Sequence, residues 1–162
     1  MRRRALIALV ACFLLFWLFG MVSSFATSHC LNGASTLSRT TRACDLSKMT
    51  FPILDKLEGQ KKPGAGVIFT QYGLFSLQGG KPDEAAEWIK RGLQRATQTS
   101  HLVELNDGLK VPEGVLSVLK QVHHEQVSDG VRAEWWNIGL AVDPALLQPI
   151  FDAATKPAEE AL

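Results

Sequence analysis

The run His123-His124-Glu125 carries the side chains in this sequence that are best suited to bind a metal ion. Imidazole nitrogens and carboxylate oxygens are common zinc ligands. On a helix, however, adjacent residues point about 100° apart, so the two imidazoles would not share a face. No two histidines stand four residues apart anywhere in the chain. We therefore expect no metal site, and interpret the run as solvated or core-edge side chains.

Motifs for nucleophilic catalysis and phosphate binding do not occur in the sequence either. No serine lies in a Gly-x-Ser-x-Gly context and no cysteine in a Cys-x-x-Cys context. The glycines around Gly64 and Gly79 indicate turns and do not form a phosphate-binding loop. We therefore expect a protein that is not an enzyme, with no catalytic residue and no bound cofactor.

The charge balance argues against a nucleic-acid partner. The chain has 17 lysines and arginines against 16 aspartates and glutamates. Binding to nucleic acid depends on a concentrated basic face that neutralises phosphates. Beyond the N-terminal arginines no such concentration occurs, so we expect no nucleic-acid partner.

The N-terminal segment has the composition of a membrane-spanning helix. Arg2 to Arg4 run directly into Ala5 to Val22, which are uncharged and almost wholly apolar. As a helix this stretch would be roughly 27 Å long, close to the hydrocarbon thickness of a bilayer. Trp17 and Phe19 would suit the aromatic belt at an interface. Because basic residues stay in the cytoplasm, we expect the rest of the chain on the far side of the membrane.

The same residues, 1–26, also fit a cleaved secretory signal. Ser24 and Ala26 are small residues at the positions that precede a possible cut after Ala26. The sequence leaves both alternatives open. The first predicts a single-pass inner-membrane protein with a periplasmic C-terminal domain, and the second predicts a secreted or periplasmic protein.

Two cysteines, Cys30 and Cys44, follow the apolar segment. A disulfide between them would close a loop of about 15 residues, worth roughly 3 kcal/mol in the chain-entropy estimate. The enclosed segment is polar and has little periodicity, so it needs such a bond to become ordered. We predict a Cys30–Cys44 disulfide within a linker of residues 27–63; two unpaired thiols are the alternative.

Helical periodicity dominates the remainder, residues 64–155. Pro82 suits a first helical position, and Asp83 and Glu84 lie where negative charge favours a helix start. Asp143 is a natural N-cap.

The secondary structure of residues 101–111 is ambiguous, with a turn at Leu105 to Gly108, and no segment alternates as a strand does. We therefore predict an all-α domain and a polar tail, 156–162. The predicted helices are Lys48 to Leu57, Ala65 to Leu77, Pro82 to about Gln98, Pro112 to about Val127, Val131 to Val142, and a last helix to about Ala154.

The hairpin of residues 66–96 resembles one unit of the tetratricopeptide and Sel1-like repeat families. The resemblance rests on Tyr72-Gly73, Gly79-Gly80, Asp83-Glu84-Ala85 and Trp88-Ile89. It implies that Gly73 and Ala85 lie where the paired helices approach most closely. Gly92 departs from the pattern, since the families usually have alanine there. An unrelated helical hairpin in an ordinary all-α core is the alternative.

The resemblance implies a protein-binding function, because members of these families mostly bind proteins through a helical face. We expect a membrane-anchored helical-repeat protein that mediates protein–protein interaction in an envelope complex. Trp88, Trp135 and Trp136 are the candidate partner contacts, since tryptophan is enriched in binding hot spots. One alternative is an accessory single-pass subunit of an integral membrane complex. Another is a metal-binding or enzymatic periplasmic protein.

Overall fold

The computed structural model describes residues 2–31, 37–57, 59, 64–98, 101–105 and 108–155. The tail 156–162 and the turn residues Asn106 and Asp107 lie outside these ranges. The chain divides into two compact units, Met1–Lys62 and Pro63–Leu162. The elements are α1 (Arg2–Leu31), α2 (Leu37–Leu57), α3 (Ala65–Gln78), α4 (Pro82–Ala96), β1 (Leu102–Glu104), β2 (Lys110–Pro112), α5 (Glu113–Val122), α6 (Asp129–Val142) and α7 (Pro144–Thr155).

The first unit begins with a long apolar helix. Within α1, the 26 residues Ala5–Cys30 are long and apolar enough to cross a membrane, and a signal sequence would meet the same criterion. The side chains from Ala5 to Leu18 are all exposed. The predicted apolar N-terminal helix is therefore confirmed, in a form that fits a span or a signal sequence.

Helices α1 and α2 form a hairpin joined by the predicted disulfide. Cys30 and Cys44 are bonded, with their Cα atoms 4.7 Å apart. One turn further from the bend, the hydroxyls of Thr27 and Ser47 share a hydrogen bond of 2.6 Å. The Cys30–Cys44 prediction is thus confirmed. Within the predicted linker, residues 27–31 and 37–57 are helical, and α2 includes the predicted helix Lys48 to Leu57.

Small side chains explain why this hairpin has no clear apolar periodicity. The buried positions of α1 that follow the apolar segment are spaced as one helical face and are small: Ser23, Ala26, Thr27 and Cys30. On α2 the buried side chains likewise include the small Cys44, Ser47 and Thr50, beside the larger Phe51 and Leu54. Serine and threonine are usually exposed, so the pattern looks like a polar linker although the helices pack on it.

The second unit is built on the antiparallel pair α3 and α4. The turn between them contains Gly80 at φ +68°, a conformation that glycine adopts without strain. Gly73 lies against α4, since a Cβ built there would meet Ile89 Cγ1 at 2.9 Å and the Ala85 carbonyl oxygen at 3.5 Å. This is the close approach that the resemblance implied for Gly73 and Ala85.

The core of the second unit lies where α5 and α6 pack against this pair, and α7 packs against α6. A side-chain hydrogen bond of 2.6 Å from Gln121 Nε2 to Gln71 Oε1 ties α5 to α3. Ser128 and Asp143 begin α6 and α7 with side-chain caps, so the predicted Asp143 cap is confirmed. The largest fully buried core side chains are Leu74, Ile89, Leu93, Val115, Val118, Val122, Trp135 and Leu147.

Two short strands correct the all-α prediction to a mostly helical fold. β1 and β2 pair antiparallel, with Val103 opposite Val111, and Gly108 turns the chain at φ +76°. A backbone hydrogen bond of 3.2 Å joins Gly108 N to Leu105 O, the two ends of the predicted turn. Each strand has three residues. A segment this short is too brief for an alternating pattern to be recognised.

Helix α5 ends five residues earlier than predicted, at Val122 instead of Val127. The guanidinium of Arg132 donates to the Val122 carbonyl oxygen at 3.4 Å and to the Val127 carbonyl oxygen at 3.1 Å. Val127 itself is buried in the core. An arginine ten residues along the chain therefore satisfies carbonyl groups at the end of α5 and in the following loop, which local periodicity cannot reveal.

Candidate protein-binding surface around Trp88

Trp88 is the one predicted contact tryptophan that is partly exposed in the structure. It lies on α4 and packs on two aromatic rings of α3. Its ring stacks on Phe69, with centroids 5.8 Å apart, and meets Tyr72 edge to face at 5.1 Å. Phe69 and Tyr72 are buried, so α3 holds the indole from beneath.

Charged side chains border the indole on both sides along α4. The Arg91 guanidinium carbon lies 5.0 Å from the ring centroid, a cation–π distance. Arg91 also pairs with Glu87 at 3.7 Å. At the other side, the indole Nε1 donates to Glu84 Oε1 at 3.4 Å. We call Trp88, Glu84, Glu87 and Arg91 the Trp88 surface.

The Trp88 surface combines an ordered aromatic ring with a polar rim. Such a ring offers a partner apolar contact area at little cost in side-chain entropy. Tryptophan and arginine are also the residue types most enriched in interface hot spots. The sequence singled out Trp88 but not Phe69 or Arg91. The spacing of these residues could have indicated the surface. Phe69 and Tyr72 are three residues apart on α3, and Trp88 and Arg91 are three apart on α4, so each pair shares a helix face.

Trp135 and Trp136 lie in the core and not at a surface. Trp135 is 0% exposed and Trp136 8% exposed. Trp136 meets Trp135, Phe151 and His123 at ring distances of 5.4, 5.3 and 6.2 Å. The adjacent indoles do point in different directions, but α7 and the loop after α5 cover the second one. Neither can contact a partner in this conformation.

The run His123-His124-Glu125 forms an exposed loop between α5 and α6. His124 Nδ1 accepts a hydrogen bond of 3.4 Å from the Gln126 backbone. Partial burial, with the nearby positive charge of Arg132, lowers the pKa of His123 below its ordinary value. Among the described residues, no three His, Cys, Asp or Glu side chains are grouped as metal ligands would be.

Both bridged cysteines are buried, at 1% exposure for Cys30 and 0% for Cys44. A dissolved thiol has little access to either sulfur, so the bond has the surroundings of a structural disulfide. Cys12 is unbridged and exposed on α1.

Comparison with known proteins finds no matching family model, no matching curated protein and no matching solved structure. The resemblance of residues 66–96 to tetratricopeptide and Sel1-like repeats stays a prediction.

Proposed function

We propose that this protein is a single-pass membrane protein whose helical domain binds another protein of the cell envelope through the Trp88 surface. In this proposal α1 anchors the chain in the inner membrane with its N-terminus in the cytoplasm. The second unit lies in the periplasm, as a helical domain of tetratricopeptide or Sel1-like character. Its function is to hold a partner at the membrane, with no chemistry of its own.

The anchor is supported by the surface of α1. A soluble protein rarely exposes a contiguous apolar patch of more than a few hundred Å². Here every side chain from Ala5 to Leu18 is exposed, and the first charged residues on the N-terminal side are the arginines. A lipid environment accounts for this surface, and the arginines favour a cytoplasmic N-terminus.

The binding function is supported by one observation above all, the partly exposed Trp88 ring between Arg91 and Glu84. Burying the exposed part of such a ring beneath a partner is a common source of interface affinity. The ring is already held by Phe69 and Tyr72, so a partner would not need to order it.

Site-specific photo-crosslinking in living cells tests this proposal on the full chain. We would place a photoreactive phenylalanine analogue at Glu87, beside Trp88, and in a second strain at Gln148, an exposed position on α7. We expect a discrete heterologous protein adduct from position 87 and none from position 148. Adducts of equal yield from both positions, or from neither, would contradict the proposal.

A surface variant must then separate binding from folding. Trp88→Ala removes packing on Phe69 and Tyr72, so a loss of adduct could reflect a destabilised domain. Arg91→Ala is the cleaner variant, because its side chain is 50% exposed. We expect it to reduce adduct yield while the melting temperature stays within about 2–4 °C, as is usual for surface substitutions.

A second candidate function is that of an accessory subunit whose α1 packs against other membrane spans. The exposed apolar surface of α1 favours it too, since neighbouring spans can replace lipid there. A chain of residues 1–62 distinguishes the two functions. If the partner co-purifies with that piece as it does with the full chain, the contact lies in the first unit and not at Trp88.

A further inference from the structure

Helix α2 carries an exposed row of large apolar side chains on the face that turns away from the hairpin interface. Their spacing of three, four and four residues places them along one side of the helix. Their exposed fractions range from 40% to 71%. We call these residues the apolar stripe: Leu46, Met49, Ile53 and Leu57.

Two charged residues of α2, Asp45 and Lys48, fall on a separate arc by helical spacing. Lys56 borders the stripe beside Met49, and the exposed Arg42 continues its line one turn before Leu46. Asp55 is 4% exposed and faces away from the stripe. The stripe thus consists of four exposed apolar side chains in one row, with charged residues only at its end and edge, which is unusual for a helix face in contact with water.

The register of the hairpin sets how far down α1 the stripe reaches. Cys30 is bonded to Cys44, and Thr27 is hydrogen-bonded to Ser47, so each step back along α1 matches a step forward along α2. Continued in this register, Ile53 lies level with Met21 and Leu57 level with Trp17. Met21 and Trp17 belong to the apolar helix surface that is itself exposed.

We propose that the apolar stripe rests against membrane lipid, so that α2 is a second membrane-contacting helix lying beside the end of the span. This inference depends on the proposed anchoring of α1. Its occupant is lipid because the stripe continues the surface that α1 presents to the bilayer. Leu57 then reaches the interfacial level of Trp17, and Leu46, about 16 Å further along the helix axis, lies at or above the headgroups.

The consequence is a second helix end that enters one leaflet beside the span. Because α2 runs antiparallel to α1, its Leu57 end lies deepest and its apolar stripe faces the acyl chains. Lys56, exposed near the lower end of α2, can extend its ammonium group back to the headgroups.

Spin labels on the full chain in vesicles of phosphatidylcholine and phosphatidylglycerol test this proposal. A Cys12→Ser background keeps the buried disulfide and removes the unbridged thiol. Single cysteines at Ile53 and Leu57 then carry the label, with Lys48→Cys as the control on another side of the same helix. Leu9→Cys reports on the span itself.

We expect the labels at 53 and 57 to collide more with oxygen, which concentrates in lipid, than with a water-soluble nickel chelate. The label at 48 should show the reverse, and the label at 9 should show the strongest oxygen preference. A mass measurement that finds Cys30 and Cys44 still bonded establishes that the hairpin is intact in each variant.

Three other outcomes would overturn the proposal in distinguishable ways. Nickel-accessible labels at 53 and 57 with a lipid-buried label at 9 would remove the lipid contact and leave the anchor standing. A nickel-accessible label at 9 would remove the anchor as well. Dipolar broadening between labels at 53 would show that a second copy of the chain, and not lipid, covers the stripe.

Discussion

Gly92 faces Thr70 at the crossing of α3 and α4, where a Cβ at residue 92 would lie 2.7 Å from Thr70 Oγ1. The same Cβ would lie 3.2 Å from the Gly66 carbonyl oxygen and 3.2 Å from the Thr70 backbone nitrogen. Two of these three neighbours belong to the backbone, so a side chain at 92 can fit only if the helices move apart. The glycine therefore sets the separation of the pair that supports Trp88.

We expect Gly92→Ala to destabilise the second unit. Overpacking of a tight interface costs about 1–3 kcal/mol, and the better helix propensity of alanine offsets up to about 1 kcal/mol of that. Urea unfolding of the full chain in detergent, followed by tryptophan fluorescence, measures the difference. Gly130→Ala is the matched control, because a Cβ there meets nothing within 4 Å. Equal midpoints for the two variants would show that α3 and α4 separate without cost.

Arg132 should stabilise the end of α5 more through its carbonyl contacts than through its ion pair. We expect Arg132→Met to lower the free energy of unfolding by about 1–3 kcal/mol, the range for losing hydrogen bonds from a charged donor. Asp129→Asn removes the ion-pair partner, which is 98% exposed, and should cost less than about 1 kcal/mol. The same unfolding experiment compares them. A larger loss for Asp129→Asn would assign the stabilisation to the ion pair instead.

The stability of the second unit should depend on the protonation of His123. Its pKa is lowered in the folded chain, first by burial and then by Arg132, so the unfolded chain takes up this proton at higher pH. The stabilisation is fully present above the ordinary pKa of 6.5 and declines as pH falls toward the lower folded value. The effect is small because the side chain is exposed. We expect His123→Gln to lose less stability than the parent chain between neutral and mildly acidic pH. If the melting temperatures of the two chains changed equally with pH across that range, this expectation would be contradicted.

The membrane-extracted protein should keep its N-terminal helix. We expect an intact mass that includes residues 1–26, and a mature start near Thr27 would instead identify a signal peptide.

Reporter fusions test the orientation of the chain. We expect alkaline phosphatase fused to the C-terminus to be active and green fluorescent protein at the same position to be dark. Fluorescence from the second fusion would place the domain in the cytoplasm, against the proposed orientation.

The sequence predicted the α3–α4 pair best, because several local signals agree there. Pro82, the acidic first turn and the glycines at the turn mark both helix ends, and the observed bounds Ala65–Gln78 and Pro82–Ala96 lie within two residues of the predicted ones. The capped start of α7 was equally predictable from the sequence, and Asp143 does accept a hydrogen bond of 3.1 Å from the Leu146 backbone nitrogen. Caps and turns depend on neighbouring residues only.

Apart from the two strands, which are too short to show a pattern, the failures involve contacts outside the local segment. The α1–α2 hairpin buries many small and polar side chains beside Phe51 and Leu54, and their burial depends on the facing helix. The end of α5 depends on Arg132, and the burial of Trp136 depends on Phe151 of α7. A single sequence could identify Trp88 as a candidate contact, but only the fold shows that Trp135 is enclosed while Trp88 reaches the surface.

The bond between Cys30 and Cys44 has a consequence for the order in which the chain matures. Forming it consumes an oxidant, and the bacterial cytoplasm keeps thiols reduced. For the orientation proposed, the hairpin is locked only after its two cysteines have emerged across the bilayer. Newly made chains that have not yet been exported would therefore lack the bond between α1 and α2. The first unit would be completed only after its cysteines have crossed the membrane.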